Sequence, residues 1–312
     1  MTDIVTLTMN PCVDVSTSTE RVEPTRKLRC QVPKREPGGG GVNVARVLQR
    51  LGAEVLAVYP AGGDSGARLG RLLQAEQVPA LSLAITGETR ESFHVRELAA
   101  QQEYRFVMPG PTLTEAEWQT CLERVEALQP FPRYLVASGS LPPGVPEDFY
   151  ARLARLARAR GARCVLDASG PALAAALQEG VFLVKPSLGE LRALTGQALV
   201  NQAQWLAAAR QLVQQGQAEV VVLSLGERGA LLVTGTSATL APALPVPVRS
   251  AVGAGDSLVG GMLQALAAGT GPRQAFVRGV AAASAALLAS GTGLCRPQDV
   301  DRLQAQVVLQ DL

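Results

Sequence analysis

The segment Ser250-Ala251-Val252-Gly253-Ala254-Gly255-Asp256 sets a carboxylate directly behind a run of small residues. It follows a β-like stretch (Pro245–Arg249) and opens a helical pattern running roughly from Asp256 to Ala268. Small residues at a helix start let backbone N–H groups converge on one point, and the helix dipole adds partial positive charge there. That arrangement suits charge developing on a transferring phosphoryl group. A carboxylate beside it can take the proton of an accepting hydroxyl. The plainer alternative is a glycine-led helix whose Asp256 is only a cap. As an ordinary aspartate, with a reference pKa of about 3.9, Asp256 is expected to be ionised at neutral pH.

A second candidate is Pro37-Gly38-Gly39-Gly40-Gly41-Val42-Asn43-Val44-Ala45. Four glycines before a helix let the backbone approach a ligand closely, or serve as a hinge. Asn43 can cap the helix or bond a hydroxyl. The run is not a P-loop, because no Lys-Ser/Thr follows, and it lacks the dinucleotide-binding spacing. The chain has only three lysines, Lys27, Lys34 and Lys185, so a lysine inside a motif stands out. The only histidine, His94, falls in a strand pattern and reads as a structural or lid residue.

These residues need a scaffold, and 312 residues with 47% apolar content can build one large α/β domain. The formal charge of +2 gives no reason to expect a nucleic-acid or membrane partner. Five scattered cysteines without a CxxC pair argue against a disulfide framework or a zinc site and fit a reducing cytosol. Cys30 and Cys295 read as packing residues. Met1 to Leu7 runs straight into a strand-like stretch without a signal-peptide pattern. No apolar run reaches membrane-span length.

Buried-strand patterns at 55–59, 134–137, 164–166, 182–184 and 220–223 alternate with amphipathic helix patterns. The helices are expected at 44–51, 67–76, 115–128, 146–160 and 202–215. Such alternation implies a doubly wound, mainly parallel sheet with helices on both faces. Lys27–Glu36 and Ser92–Val107 break the rhythm and read as antiparallel strands of a small lid, within about 15–36 and 90–108. Residues 1–312 therefore read as a single domain plus lid. Because isolated small sheets are marginal, the lid predicts a homodimer through its exposed face.

The glycine run and the GAGD segment, at opposite ends of the chain, resemble the ribokinase-like (PfkB) family of carbohydrate kinases. Further matches are Thr6-Leu7-Thr8 with Pro11 and Asp14, Lys27–Cys30, Tyr104–Gly110, Ser138–Val145 and Val252–Ser257. The resemblance covers essentially the whole chain and is nearest to the minor, PfkB-type 6-phosphofructokinases. It implies a ribokinase-like fold and a cytoplasmic phosphotransferase of glycolysis, acting on fructose 6-phosphate and ATP with Mg2+ and K+. A 1-phosphofructokinase, a tagatose-6-phosphate kinase or a non-catalytic sugar- or nucleotide-binding regulator are the alternatives. A dehydrogenase is disfavoured because no GxGxxG follows the first strand.

The resemblance also implies roles. Asp256 would be the base, with Gly253, Ala254 and Gly255 forming the anion hole. Asp14, Gly39, Asn43 and Ser140 would meet the sugar, although Asp14 also fits an ordinary Asx-turn. Arg90 would hold the sugar phosphate, in its own or a neighbouring subunit's site; unaided it reads as a solvated strand charge. Lys27 would reach between sugar and nucleotide phosphates; otherwise it is a surface lysine. Lys185, Ser187, Ser224, Gly226, Gly229 and Ser284 would line the nucleotide. Glu190 would organise Mg2+ through water, in an element where Ser187 replaces the family's Asn. K+ would be held by the carbonyls of Ser250, Val252, Ala286, Ala289, Gly291 and Gly293.

Overall fold

A computed structural model describes residues 3–312. Met1 and Thr2, the start of the strand-like opening stretch, lie outside the described residues. The strands in chain order are β1 (Ile4–Leu7), β2 (Cys12–Thr19), β3 (Lys34–Gly38), β4 (Val55–Ala61), β5 (Ala80–Ala84), β6 (Arg90–Glu97), β7 (Gln102–Val107), β8 (Tyr134–Ser138), β9 (Arg163–Asp167), β10 (Val181–Val184), β11 (Ala218–Ser224), β12 (Ala230–Thr234), β13 (Ala238–Ala241) and β14 (Gln310–Asp311). The helices are α1 (Gly40–Arg50), α2 (Gly63–Ala75), α3 (Glu115–Glu126), α4 (Phe149–Ala159), α5 (Gly170–Gln178), α6 (Leu188–Thr195), α7 (Gln202–Gln214), α8 (Ala254–Ala267), α9 (Pro272–Ala286) and α10 (Pro297–Gln304).

Ten strands form one sheet in the order β14-β13-β12-β11-β10-β9-β8-β1-β4-β5. From β11 to β5 the neighbours run parallel, and β12 to β14 add an antiparallel edge. The strands are apolar on both faces because both faces are covered. Successive side chains point to opposite layers. Thus Leu135 and Ala137 join the core beneath α3 to α7, while Tyr134 and Val136 join the core beneath α1, α2, α8 and α9.

The remaining four strands form a second sheet in the order β3-β2-β6-β7. It departs from the expected lid in three ways. Regular pairing begins at Lys34, so residues 27–33 are irregular and largely exposed rather than a strand. That stretch is tied to β2 only by scattered bonds, such as Thr17 Oγ1 to the Gln31 carbonyl at 2.7 Å. The sheet begins at Cys12, and β2 pairs with β6 in parallel, because the chain leaves and re-enters the main sheet between them. Pro245–Arg249, expected to be β-like, forms no strand, and its two prolines cannot donate to a ladder.

Candidate active site

The two glycine-led helices meet. α1 begins after Gly39, at φ 107°, and α8 begins after Gly253, at φ 75°. Left-handed backbone of this kind favours glycine at both positions. A side chain at Gly39 would run into Thr8 and Pro11, and one at Gly253 into Leu294. The two starts border a cavity of about 280 Å³ over the carboxyl ends of the parallel strands. Ligands of open α/β sheets bind at such strand ends.

Asp256 stands at the third position of α8 and lines this cavity. Asn43 Nδ2 donates to its Oδ2 at 2.9 Å. Burial and, secondarily, the nearby Asp167 push its carboxyl up to about 7, against the opposing pull of Asn43 and Lys185. The expectation of an ordinary, fully ionised aspartate is therefore corrected: desolvation and like charge tune this group into the neutral range.

Asp167 closes the same wall. It receives Lys185 Nζ at 3.0 Å. Burial raises the Asp167 pKa despite Lys185. Burial opposes the charge of Lys185, but Asp167 and the other nearby carboxylates outweigh it and hold the lysine above its ordinary value. Glu190 lines the cavity, and its Oε2 accepts from the Ser187 backbone N–H at 2.7 Å. Ser187 Oγ accepts in return from the Glu190 N–H at 3.2 Å. The pair is a capping box on α6. Among the described residues no group of three or more His, Cys, Asp or Glu side chains could hold a metal. Two carboxylates on one wall, Asp167 and Glu190, suit a Mg2+ ion that keeps most of its waters.

The opposite wall comes from the lid. Asp14 on β2 and His94 on β6 lie 3.7 Å apart, and Cys12 Sγ donates to Asp14 Oδ1 at 3.1 Å. Arg90 begins β6; its Nη1 and Nη2 bond the carbonyls of Met108 (3.0 Å) and Asn10 (2.9 Å), while its buried Nε has no partner. Ser140 accepts from Asn10 Nδ2 at 3.0 Å. Arg105 on β7 lines the cavity as a second cation.

Of the expected residues, the cavity thus brings together Asp14, Gly39, Asn43, Arg90, Ser140, Glu190, Val252, Gly253 and Asp256. Ala254 and Gly255 continue the first turn of α8, where the Ala254 N–H makes only a long 3.4 Å bond to the Ala251 carbonyl. Ser187 and Ser224 adjoin through a bridge between the ends of β10 and β11, and Gly226 and Gly229 shape the tight turn into β12. Ser284 is buried within α9 and lines no part of the cavity. Lys27 is likewise not against it, because its irregular segment holds it in solvent. Cys30, expected in packing, is exposed on the same segment, whereas Cys295 is buried. The loops carrying Ser250, Val252, Ala289, Gly291 and Gly293 touch through the Arg249 N–H and the Leu287 carbonyl at 2.8 Å. Ala286 ends α9, and its carbonyl already accepts from Ala289.

Sequence reasoning missed Asp167 and Arg105. Asp167 is the first polar residue after the apolar run Cys164–Leu166, and its place at the carboxyl end of a buried parallel strand was the available signal. Arg105 lay inside a segment already singled out, and only strand pairing reveals which way it faces.

A family model described as pfkB family carbohydrate kinase matches residues 3–299. A relative named ATP-dependent 6-phosphofructokinase isozyme 2, from Mycobacterium tuberculosis, is 44% identical over 299 residues, 96% of this chain and 88% of its own length. Crystal structures of phosphofructokinase-2 from Escherichia coli are also similar. The complex with fructose-6-phosphate is 42% identical at a TM-score of 0.93, and the complex with potassium is 43% identical at 0.94. Each match covers 98% of this chain and 99% of the other.

Proposed function

This chain belongs to the pfkB family of carbohydrate kinases, and on that premise we propose that it transfers the γ-phosphoryl group of ATP to the 1-hydroxyl of fructose 6-phosphate. The products are fructose 1,6-bisphosphate and ADP. The observation that carries the reading is Asp256, held at a helix start in one cavity with Asp14, Asn43 and Arg90.

Asp256 takes the hydroxyl proton as the sugar oxygen bonds the γ-phosphorus, and the bond from that phosphorus to the bridging oxygen of ADP breaks. A base titrating near 7 suits proton transfer at neutral pH. The first-turn N–H groups of α8, from Gly253 to Gly255, receive the charge on the transferring group. Asp14, Asn43, Gly39 and Ser140 orient the sugar. Arg90, with Arg105 beside it, meets the 6-phosphate; the unpartnered Nε and the cationic wall support that role. Lys185, Ser187, Ser224, Gly226, Gly229 and Ser284 belong to the nucleotide side. Lys27 joins only if its segment closes over the ligands.

Glu190 and Asp167 would hold Mg2+ largely through water, and the ion would screen phosphate charge. The carbonyls of the 250–252 and 286–293 segments would hold K+, and their loop geometry leaves most of them outside regular ladders. No helix among the described residues is long and apolar enough to cross a membrane, and we assign the enzyme to the cytoplasm. A homodimer through the lid fits the exposed apolar residues of β7, where Phe106 is 50% and Val107 61% exposed.

Coupled ADP detection over a panel of phosphosugars, with and without K+, tests the reading. Fructose 6-phosphate should give the highest kcat/KM. A preference for fructose 1-phosphate or tagatose 6-phosphate would replace the substrate, and no ADP with any sugar would replace the activity.

A further inference from the structure

Arg46 is among the largest fully buried side chains, yet it lines no part of the cavity. It projects from α1, one turn beyond Asn43. Its Nε and Nη2 grip the Glu76 carboxylate at 3.0 and 2.5 Å. Its Nη1 donates to the Pro37 carbonyl at 2.8 Å and to Asn43 Oδ1 at 3.2 Å. Glu36 adds a second carboxylate at 3.5 Å and is itself held by Thr292 Oγ1 at 3.0 Å.

The contact with Asn43 matters because a side-chain amide has two unlike ends. A guanidinium only donates, so it admits the amide oxygen and rejects the NH2 group. With its oxygen turned to Arg46, Asn43 must direct Nδ2 the other way, where Asp256 Oδ2 accepts it. The reversed amide would set donor against donor at Arg46 and oxygen against carboxylate at Asp256. We propose that Arg46 is a positioning residue for phosphoryl transfer: it fixes the orientation of the Asn43 amide and, through it, the orientation of the Asp256 carboxylate.

A clamp whose only task was to join α1 to α2 would need Glu76 alone. The donation to Asn43 uses the remaining edge of the guanidinium and points toward the chemistry. The proposal rests on the kinase reading above. The other charged groups around Asp256 are Asp167, Lys185 and Glu190 on its own side, with Asp14, His94, Arg90 and Arg105 on the lid across the cavity. Neither substitution alters any of these groups, so a difference reports the Arg46–Asn43–Asp256 line.

The test is a double-mutant cycle on the full chain with Arg46→Lys, Asn43→Ala and both together. Arg46→Lys keeps a cation for Glu76 but loses the forked donor. It should lower kcat about tenfold while leaving the KM for ATP unchanged, and Asn43→Ala should lower kcat at least as much. The double variant should lose no more than Asn43→Ala alone, because the two act in series. Losses that multiply, or a wild-type kcat in Arg46→Lys with only a lowered melting temperature, would overturn the proposal. If Arg46→Lys does not fold, Glu76→Gln, which leaves Arg46 in place but weakens its hold, enters the cycle with the same two outcomes. Carbon-13 NMR titration of Asp256 without substrate separates this from the kinase reading. Both single variants should move its titration upward, and the double no further than Asn43→Ala. A wild type inactive on every phosphosugar with that coincident pattern would sink the kinase reading and keep the positioning role. An active wild type with independent titration shifts would sink only the positioning role.

Discussion

The two walls of the cavity are built on different terms. On the main-sheet wall, Asp256 and Asn43 pair at 2.9 Å, and Asp167 is held at 3.0 Å by Lys185 from behind the cavity lining. Asn43, Asp167 and Asp256 belong to α1, β9 and α8, and Lys185 directly follows β10. The lid wall carries Arg90, Arg105, Asp14 and His94 on a four-stranded sheet whose outer strand, β7, is mostly exposed. Val32, Phe106 and Val107 are large apolar residues open to solvent there. On the proposed reading, chemistry sits on the wall one chain completes alone, whereas phosphosugar recognition sits on the wall that a partner would complete. Charges already held by buried partners need no rearrangement during reaction.

The sharpest break of this comparison strikes the finished wall. Asp256→Asn removes the proton acceptor but keeps the shape and the Asn43 contact partner. We expect kcat to fall by about a thousandfold, within the span of general-base effects, with the KM for fructose 6-phosphate little changed. Steady-state kinetics checks this, and near-normal turnover would remove Asp256 from the mechanism. Next comes the unfinished wall. Phe106→Asp places a charge where the dimer reading needs an apolar contact, and it should raise the dissociation constant of the dimer by about a hundredfold or more. Light scattering over a dilution series decides, and a monomeric wild type at micromolar concentration would end the dimer proposal.

Arg90→Ala tests the division of labour between the walls. A lost hydrogen bond to a charged group amounts to about 1.5–3 kcal/mol, so the KM for fructose 6-phosphate should rise roughly ten- to a hundredfold while the KM for ATP holds. A change confined to ATP would reverse the assignment. The effect of pH is smaller and follows from Asp256 at about 7, against an ordinary 3.8. The base must be ionised, so kcat/KM should rise with pH through about 7 and fall roughly tenfold per pH unit well below it. The stability effect runs the other way. The folded state holds this proton more tightly than the unfolded chain does, so Asp256's contribution to stability is greatest below about 4 and is lost as pH rises toward 7. Denaturant titrations at several pH values should give Asp256→Asn a flatter profile across that window.

The two walls also differ in how legible they were. The buried strands at 134–137 and 220–223 and the helix starts at the glycine run and GAGD follow from apolar pattern and small-residue chemistry, which are local. The lid register does not. That Cys12–Thr19 pairs in parallel with a strand about eighty residues later depends on a crossover through the main sheet, and no short window of sequence encodes it. The same limit explains the exposed Lys27 and the unforeseen Arg105. The raised pKa of Asp256 was illegible for another reason: burial and the proximity of Asp167 exist only once distant segments meet.

The smallest expected effect concerns Ser187, whose replacement of the family's Asn put metal-side geometry in question. Its side chain caps α6, and the reciprocal bond holds the Glu190 carboxylate to the Ser187 N–H. Ser and Asn are about equally good N-caps, so Ser187→Asn should shift stability by less than about 0.5 kcal/mol. A first-turn carboxylate stays favoured at the helix N-terminus with either residue, so Glu190 keeps its orientation. The Mg2+ concentration for half-maximal activity should therefore change by no more than about twofold, because Glu190 and Asp167, the carboxylates proposed to hold the ion, are unchanged. A Mg2+ titration of both proteins checks this. A tenfold tightening in Ser187→Asn would mean that the longer side chain reaches the ion's waters directly, and that the finished wall is less complete in this chain than its hydrogen bonds imply.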